Sequence, residues 1–509
     1  MPPEEKITAA EERFERWRST VGLFLGPVVG VAVLLLPMPG LTAEAHRLAG
    51  IIAWVIVWWV TEPIPIPVTA LLGAVLCVLF GVASARTVFA PFADPIIYLF
   101  LGSFVLAQGM AVHGLDKRFA YQLMSIRWVG SSAGRLLFMF GAVAALISMW
   151  ISNTATTAMM FPIGLGIVYT MSGMIAEKTA QHIDPHRLRY GTGMMLMAAY
   201  AASAGGIGTP VGSPPNLIGL AMMERLLDVR ISFFQWMLFA IPLLVVMYVL
   251  LFALMRVLHK PEVGQIEGGQ DSVKQELFRL GRWTRGQKNV LAAFLVAVTL
   301  WVTPGFLALI TGTEAPIYRS YGGRVPEAVA ALTAATLLFV LPVNWRKREF
   351  TLTWKQATQI DWGTLLLFGG GLTLGSMMFN TGLADAVGRG LLGLSGAGST
   401  WGLTFAAIWV SIIVSEATSN TASATMVVPV IISVAQTAGV NPIPPALGAT
   451  LAASWGFMLP VSTPPNAIVY GSGMVPITKM IRAGVLFDIG GGILIWLGLR
   501  LMLPLLGLA

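Results

Sequence analysis

The chain has 509 residues, 56% of them hydrophobic and only 11% charged, and a formal net charge of +8. A soluble protein of this length needs more charge to cover its surface, so the composition excludes a string of water-soluble domains and indicates a polytopic membrane protein. One cysteine, Cys77, excludes a disulfide framework or a cysteine metal site, and the five histidines show no metal-ligand spacing.

Residues 1–19 are polar and mixed in charge, and the apolar run at about 20–37 lacks a small-x-small cleavage site. It reads as a retained helix, so 20–45 is assigned to a first transmembrane helix outside any repeat. Further stretches long enough to span follow near 47–61, 66–83 and 95–112, then 231–257, 287–303, 327–343, 362–379 and 483–506. Residues 134–173 and 400–436 are too long for one span, and each carries a polar triplet near its middle. The spacing predicts two re-entrant hairpins, each entering and leaving by one side. Residues 190–225 and 445–475 read as spans interrupted by Gly/Pro-rich phrases, tolerated at that depth only where protein or a wet cavity surrounds them.

The interruptions are duplicated. Ser148-Met149-Trp150-Ile151-Ser152-Asn153-Thr154-Ala155 returns as Ser415-Glu416-Ala417-Thr418-Ser419-Asn420-Thr421-Ala422, and Pro210-Val211-Gly212-Ser213-Pro214-Pro215-Asn216 as Pro460-Val461-Ser462-Thr463-Pro464-Pro465-Asn466. Gly114-Leu115 and Gly382-Leu383 also follow corresponding Gly/Leu-rich spans. This divides the chain into repeat 1 (46–257), a polar cytoplasmic linker (258–285) and repeat 2 (286–509). Each repeat has five pieces: two scaffold spans, a hairpin, a broken span and a final span. Five is odd, so the second copy must insert upside down. The predicted fold is an all-α polytopic membrane protein built as an inverted repeat.

Charge supports that topology. With the N-terminus in the cytoplasm, 24 of the 32 Lys and Arg residues fall in 1–19, 113–135, 174–189, 256–288, 344–361 and 476–482. The basic balance is therefore a positive-inside signal and not a nucleic-acid surface.

A hairpin tip presents carbonyls from the helix that ends and N–H groups from the helix that begins, suiting a cation and an anion respectively. Ser, Asn and Thr add neutral oxygens and donors. A lone Ser-Asn in an apolar run is ordinarily a local cap or a helix–helix hydrogen bond; two copies in matching order indicate a binding site. Two opposed tips facing two broken spans then form one midplane site for a small anion, flanked by two cation sites. Neither phrase contains Lys, Arg or His, so bound sodium is the available counter-charge for a di- or tricarboxylate. Glu416, whose repeat mate is Met149, is open to a proton or cation role, a structural ion pair or an interfacial placement. No nucleophile has an activating base, which argues against an intramembrane enzyme. Opposed dead-end hairpins argue against a channel.

These phrases, with Thr61-Glu62-Pro63-Ile64-Pro65, resemble the divalent anion/sodium symporter family of dicarboxylate and citrate transporters over nearly the whole chain. The resemblance implies eleven transmembrane helices, a homodimer in the cell membrane and elevator-type alternating access. Carried over by position, it implies a first sodium site at Ser148, Ser152, Asn153 and Gly212, and a second at Ser415, Thr418, Asn420 and Ser462. Substrate carboxylates would meet Asn153, Thr154, Ser213, Ser419, Asn420, Thr421 and Thr463. Thr418 and Ser462 stand where the family commonly has a smaller residue. The implied function is sodium-coupled symport of a C4-dicarboxylate (succinate, malate or fumarate), with no organic cofactor. Dicarboxylate exchange, or symport of citrate or sulfate, is the alternative.

Overall fold

The computed structural model describes residues 9–180, 183–395 and 399–508. It is helical almost throughout. Nine helices among the described residues are long and apolar enough to cross a bilayer. Repeat 1 is preceded by α1 (Ala9–Leu35) and contains α2 (Ala43–Thr61), α3 (Ile66–Leu79), α4 (Pro95–His113), α5 (Leu115–Met124), α6 (Ala133–Ser148), α7 (Asn153–Thr179), α8 (Arg189–Gly205), α9 (Pro214–Leu227) and α10 (Phe233–Leu258). The linker holds α11 (Gly269–Arg279). Repeat 2 contains α12 (Arg285–Thr311), α13 (Glu327–Val340), α14 (Trp362–Asn380), α15 (Leu383–Ser395), α16 (Thr400–Ala417), α17 (Asn420–Thr437), α18 (Ile443–Ala452), α19 (Pro464–Tyr470) and α20 (Ile477–Met502).

The helix stops have local causes. Gly114 and Gly382, at φ +61° and +77°, take the left-handed turn that ends α4 and α14, a conformation glycine adopts without a Cβ penalty. Outer faces carry exposed Val245, Val249, Leu309, Ile310 and Ile413, as expected where lipid is the solvent.

The polar segments meet at two ends. At one, His113 Nε2 lies 2.6 Å from Thr351 O, and Arg118 donates to the carbonyls of Leu280 and Gly281. Gln270 donates to Ile126 O, Arg189 pairs with Glu262, and Thr192 donates to Met474 O. These are the segments that carry most of the positive charge. At the other end Arg225 pairs with Asp94, Arg230 with Glu327, and Thr42 Oγ1 donates to Thr381 O.

Both hairpins follow from these anchor points. Ala133 N–H at the start of α6 donates to Gly264 O, and Lys178 at the end of α7 pairs with Glu267. The two arms therefore stand on the same linker, although α7 alone is long enough to span. For the second hairpin, α20 starts beside Met474 at the basic end and finishes at the opposite one. There Trp496 Nε1 donates to Trp401 O at the start of α16, and Asn441, just past α17, donates to Leu508 O. The hairpins hang from opposite ends, which makes the repeats inverted.

Candidate functional site

The two hairpin tips and the two helix breaks are built alike. Ser152 caps α7 by accepting from Ala155 N–H at 3.2 Å, and Ser419 caps α17 by accepting from Ala422 N–H at 3.2 Å. Ser148 Oγ lies 2.7 Å from the Asn153 amide, and Ser415 Oγ lies 2.9 Å from Asn420 Oδ1. Asn216 Nδ2 donates to Gly206 O and Thr209 O, both at 2.9 Å. Asn466 Nδ2 donates to Gly456 O at 3.1 Å and Leu459 O at 3.0 Å, again ten and seven residues upstream. Each asparagine is thus a clasp that satisfies two carbonyls the broken helix leaves open. The breaks themselves run from 206 to 213 and from 453 to 463.

The first tip gathers oxygen. A Cβ added to Gly212 would lie 2.6 Å from Gly206 O, 2.9 Å from Met149 O and 3.0 Å from Ser148 O. Only glycine leaves that space open, and three backbone carbonyls line it. The Asn153 side-chain atom facing the cluster also sits 3.2 Å from Ala202 O and 3.3 Å from Gly212 O. With its amide nitrogen turned inward, Asn153 donates to both carbonyls. That is the orientation in which the amide's donors all meet acceptors, so the oxygens left to face a cation are the backbone carbonyls of Ser148, Met149 and Gly206. The donor set therefore fits a hard cation such as sodium. Thr209 Oγ1 donates to Met149 O and fixes the tip against the break.

The second tip is similar but not identical. A Cβ on Gly456 would meet Ser415 Oγ at 3.2 Å and Ser415 O at 3.3 Å. Thr418 Oγ1 donates to Val414 O, and Ser462 Oγ donates to Glu416 Oε2 at 2.6 Å. Both hydroxyls are thus engaged in hydrogen bonds within the protein. Among the described residues Glu416 has no ion-pair partner; it is buried and also accepts Met458 N–H at 2.8 Å.

Ser213 Oγ and Ser454 Oγ are 3.1 Å apart, so the two breaks touch. Asn153, Thr154, Ser419, Asn420 and Thr421 are partly open, whereas Ser213 and Thr463 are buried. The Thr154 and Thr421 hydroxyls make no hydrogen bond among the described residues. Thr463 Oγ1 accepts Asn466 N–H at 3.3 Å. Helices α7, α9 and α17 all begin here, bringing three positive helix ends to a site whose motif residues include no Lys, Arg or His. Ser454 escaped the sequence reading because its counterpart in repeat 1 is Ala204 and duplication did not mark it. Asn216 and Asn466 were visible in the repeated phrase, but their clasping role needed coordinates.

An inverted repeat of helical hairpins and broken helices around small polar groups is an architecture of membrane transporters. The family model for the sodium:sulfate symporter transmembrane region matches residues 18–507. The chain belongs to this divalent anion/sodium symporter family. It is 34% identical over 468 residues to the sodium-dependent dicarboxylate transporter SdcS of Staphylococcus saprophyticus, covering 91% of this chain and 87% of that protein. It is 33% identical over 488 residues to SdcS of Staphylococcus aureus, covering 95% and 91%. Among solved structures, the Alcanivorax borkumensis YdaH transporter shares the fold at a TM-score of 0.53 and 14% identity, over 97% of this chain and 98% of that one. Neisseria gonorrhoeae MtrF does so at 0.52 and 13%, over 95% and 97%.

Proposed function

We propose that the protein is a secondary active transporter that carries C4-dicarboxylates such as succinate, malate or fumarate into the cell together with sodium. The observation that carries this reading is the carbonyl cluster at the first tip, where Ser148 O, Met149 O and Gly206 O surround the space left by Gly212. The first sodium ion would bind there, with Ser148, Ser152, Asn153 and Gly212. A second would bind at Ser415, Thr418, Asn420 and Ser462. Between them the dianion would meet Asn153, Thr154, Ser213, Ser419, Asn420, Thr421 and Thr463. Co-transported cations offset its charge where the motifs contain no basic side chain. Relatives named sodium-dependent dicarboxylate transporters support the pairing of ion and substrate.

The Ser213–Ser454 contact ties both breaks into one body, which favours an elevator movement of the whole site over a gate closing on either side. The N-terminus lies in the cytoplasm on this reading, because the basic segments share one end. The transporter works as a homodimer in the cell membrane, its α1 and α12 faces against lipid. A competition panel tests substrate choice: labelled succinate uptake against excess malate, fumarate, citrate or sulfate, with and without sodium. Succinate, malate and fumarate should compete, and only with sodium present. Stronger competition by sulfate or citrate would overturn the substrate. Uptake that needs dicarboxylate inside the vesicle, and is indifferent to sodium, would replace symport by exchange.

A further inference from the structure

The ion pairs at the end away from the basic segments join two different parts of the fold. Asp94 caps α4, accepting Ile96 N–H at 3.0 Å, and Glu327 is the first residue of α13. These two helices pack backbone to backbone, since a Cβ on Gly102 would lie 2.7 Å from the Ala331 main chain. Trp301 of α12 also donates to Glu327 O at 3.0 Å. Both acids are therefore fixed to the scaffold spans, each at a helix start that favours its charge. Their partners travel with the site. Arg225 is in the last turn of α9, the half-helix that begins directly after Ser213, and Arg230 is in the short turn 228–232 between α9 and α10. Helix α9 is locked to the other repeat, because a Cβ on Gly219 would collide with the Thr450 side chain of α18.

A cavity of about 300 Å³ separates the two parts, with Leu99 on the scaffold wall and Pro210 and Leu220 on the site wall. Asp94, Glu327, Arg225 and Arg230 all line it, so the faces do not interlock there and charge bridges them. Arg225 Nη1 lies 3.7 Å from Asp94 Oδ2, and Arg230 is hydrogen-bonded to Glu327. Both arginines are partly exposed, and ion pairs so placed are weak enough to open repeatedly. Glu224 of α9 lines the same cavity, so removal of an arginine leaves it facing Asp94 and Glu327 as like charges. We propose that Arg225 and Arg230 are positioning residues that form a two-point latch. They hold α9, and the break it continues, against the scaffold in this arrangement, and both pairs open each time the site moves. The latch rests on the elevator movement proposed above, and not on which anion or cation is carried.

Thiol labelling of the full-length protein in proteoliposomes tests it. Cys77, the one native cysteine, is buried, so Leu220→Cys on the cavity wall supplies the reactive thiol for a membrane-impermeant maleimide. Without substrate, adding Arg230→Gln or Glu327→Gln should speed labelling about two- to fivefold, the worth of a partly exposed ion pair. The reversals Arg230→Glu and Glu327→Arg should each speed it as well, and combining them should return it toward the parent rate. In the Leu220→Cys parent, succinate uptake under an inward sodium gradient should raise labelling, because turnover opens the latch. Unchanged labelling in the single variants, no recovery in the charge swap, or uptake that leaves parent labelling unchanged would overturn the latch. The substrate-free arm decides the latch even if succinate is not carried, so its failure is distinct from failure of the transport reading. If the Arg230 variants do not fold, Arg225→Gln and Asp94→Asn decide in the same assay.

Discussion

Ser213 and Ser454 meet hydroxyl to hydroxyl at 3.1 Å, although 241 positions separate them in the chain. One closes the first helix break and the other opens the second. Their contact is where the two inverted copies meet. Each hydroxyl can donate or accept, so the pair can also turn toward a bound carboxylate without leaving a buried polar atom unpaired.

The pair should therefore act as a unit. Ser213→Ala and Ser454→Ala are each expected to raise the KM for dicarboxylate uptake by roughly two- to tenfold, in line with a neutral hydrogen bond of about 0.5–1.5 kcal/mol. The double variant should be little worse than either single one. Additive losses in a double-mutant cycle would mean that the hydroxyls serve separate partners.

The clasps should matter more to stability than to ion affinity. Asn216→Ala or Asn466→Ala leaves two buried carbonyls without a donor, at about 1–3 kcal/mol for each group so exposed. A lower thermal unfolding midpoint in detergent is expected for both variants. An unchanged midpoint would show that the breaks hold their shape by packing alone.

Gly212 is the direct probe of the cation cluster. Gly212→Ala places a methyl within 2.6 Å of Gly206 O and into the space lined by Ser148 O and Met149 O. The sodium concentration for half-maximal uptake should rise at least about tenfold, equivalent to about 1.4 kcal/mol of lost binding. Gly166→Ala on α7, where nothing lies within 4 Å of the added carbon, is the control and should leave sodium dependence unchanged.

His259, just past the end of α10 at the basic end, gives a pH dependence with a definite sign. Burial, then Lys479 and Arg482, lower its pKa from 6.5 to about 4. The unfolded chain takes up a proton in that window and the folded chain does not. The stability it contributes is thus complete above the ordinary value and lost as pH falls toward about 4. Thermal unfolding of wild type and His259→Phe across that range should converge at low pH as the wild-type midpoint drops. A parallel fall in both would assign acid sensitivity elsewhere.

Much of the architecture was legible because a bilayer constrains sequence strongly. Span lengths, the odd count of pieces and the clustering of Lys and Arg all pointed to inverted hairpins, and α6–α7 and α16–α17 have their feet at opposite ends. The polar triplets at Asn153 and Asn420 were legible because they were duplicated. What had no duplicate stayed hidden: Ser454 answers to Ala204. The competing placements of Glu416 could not be separated in the sequence, because its partners Met458 and Ser462 lie in the second helix break, far along the chain from the hairpin tip. Side-chain direction across a break is a tertiary property, and no local pattern encodes it.

The central claim is that one site between Asn153 and Asn420 couples a dicarboxylate to sodium. Its most direct test is succinate accumulation in proteoliposomes of the purified protein under an imposed inward sodium gradient, with wild type, Asn153→Ala and Asn420→Ala. Accumulation above the external concentration is predicted for the wild type, with loss in both variants and no accumulation when potassium replaces sodium. Equal uptake in the two salts, or a variant that accumulates succinate like the wild type, would contradict it.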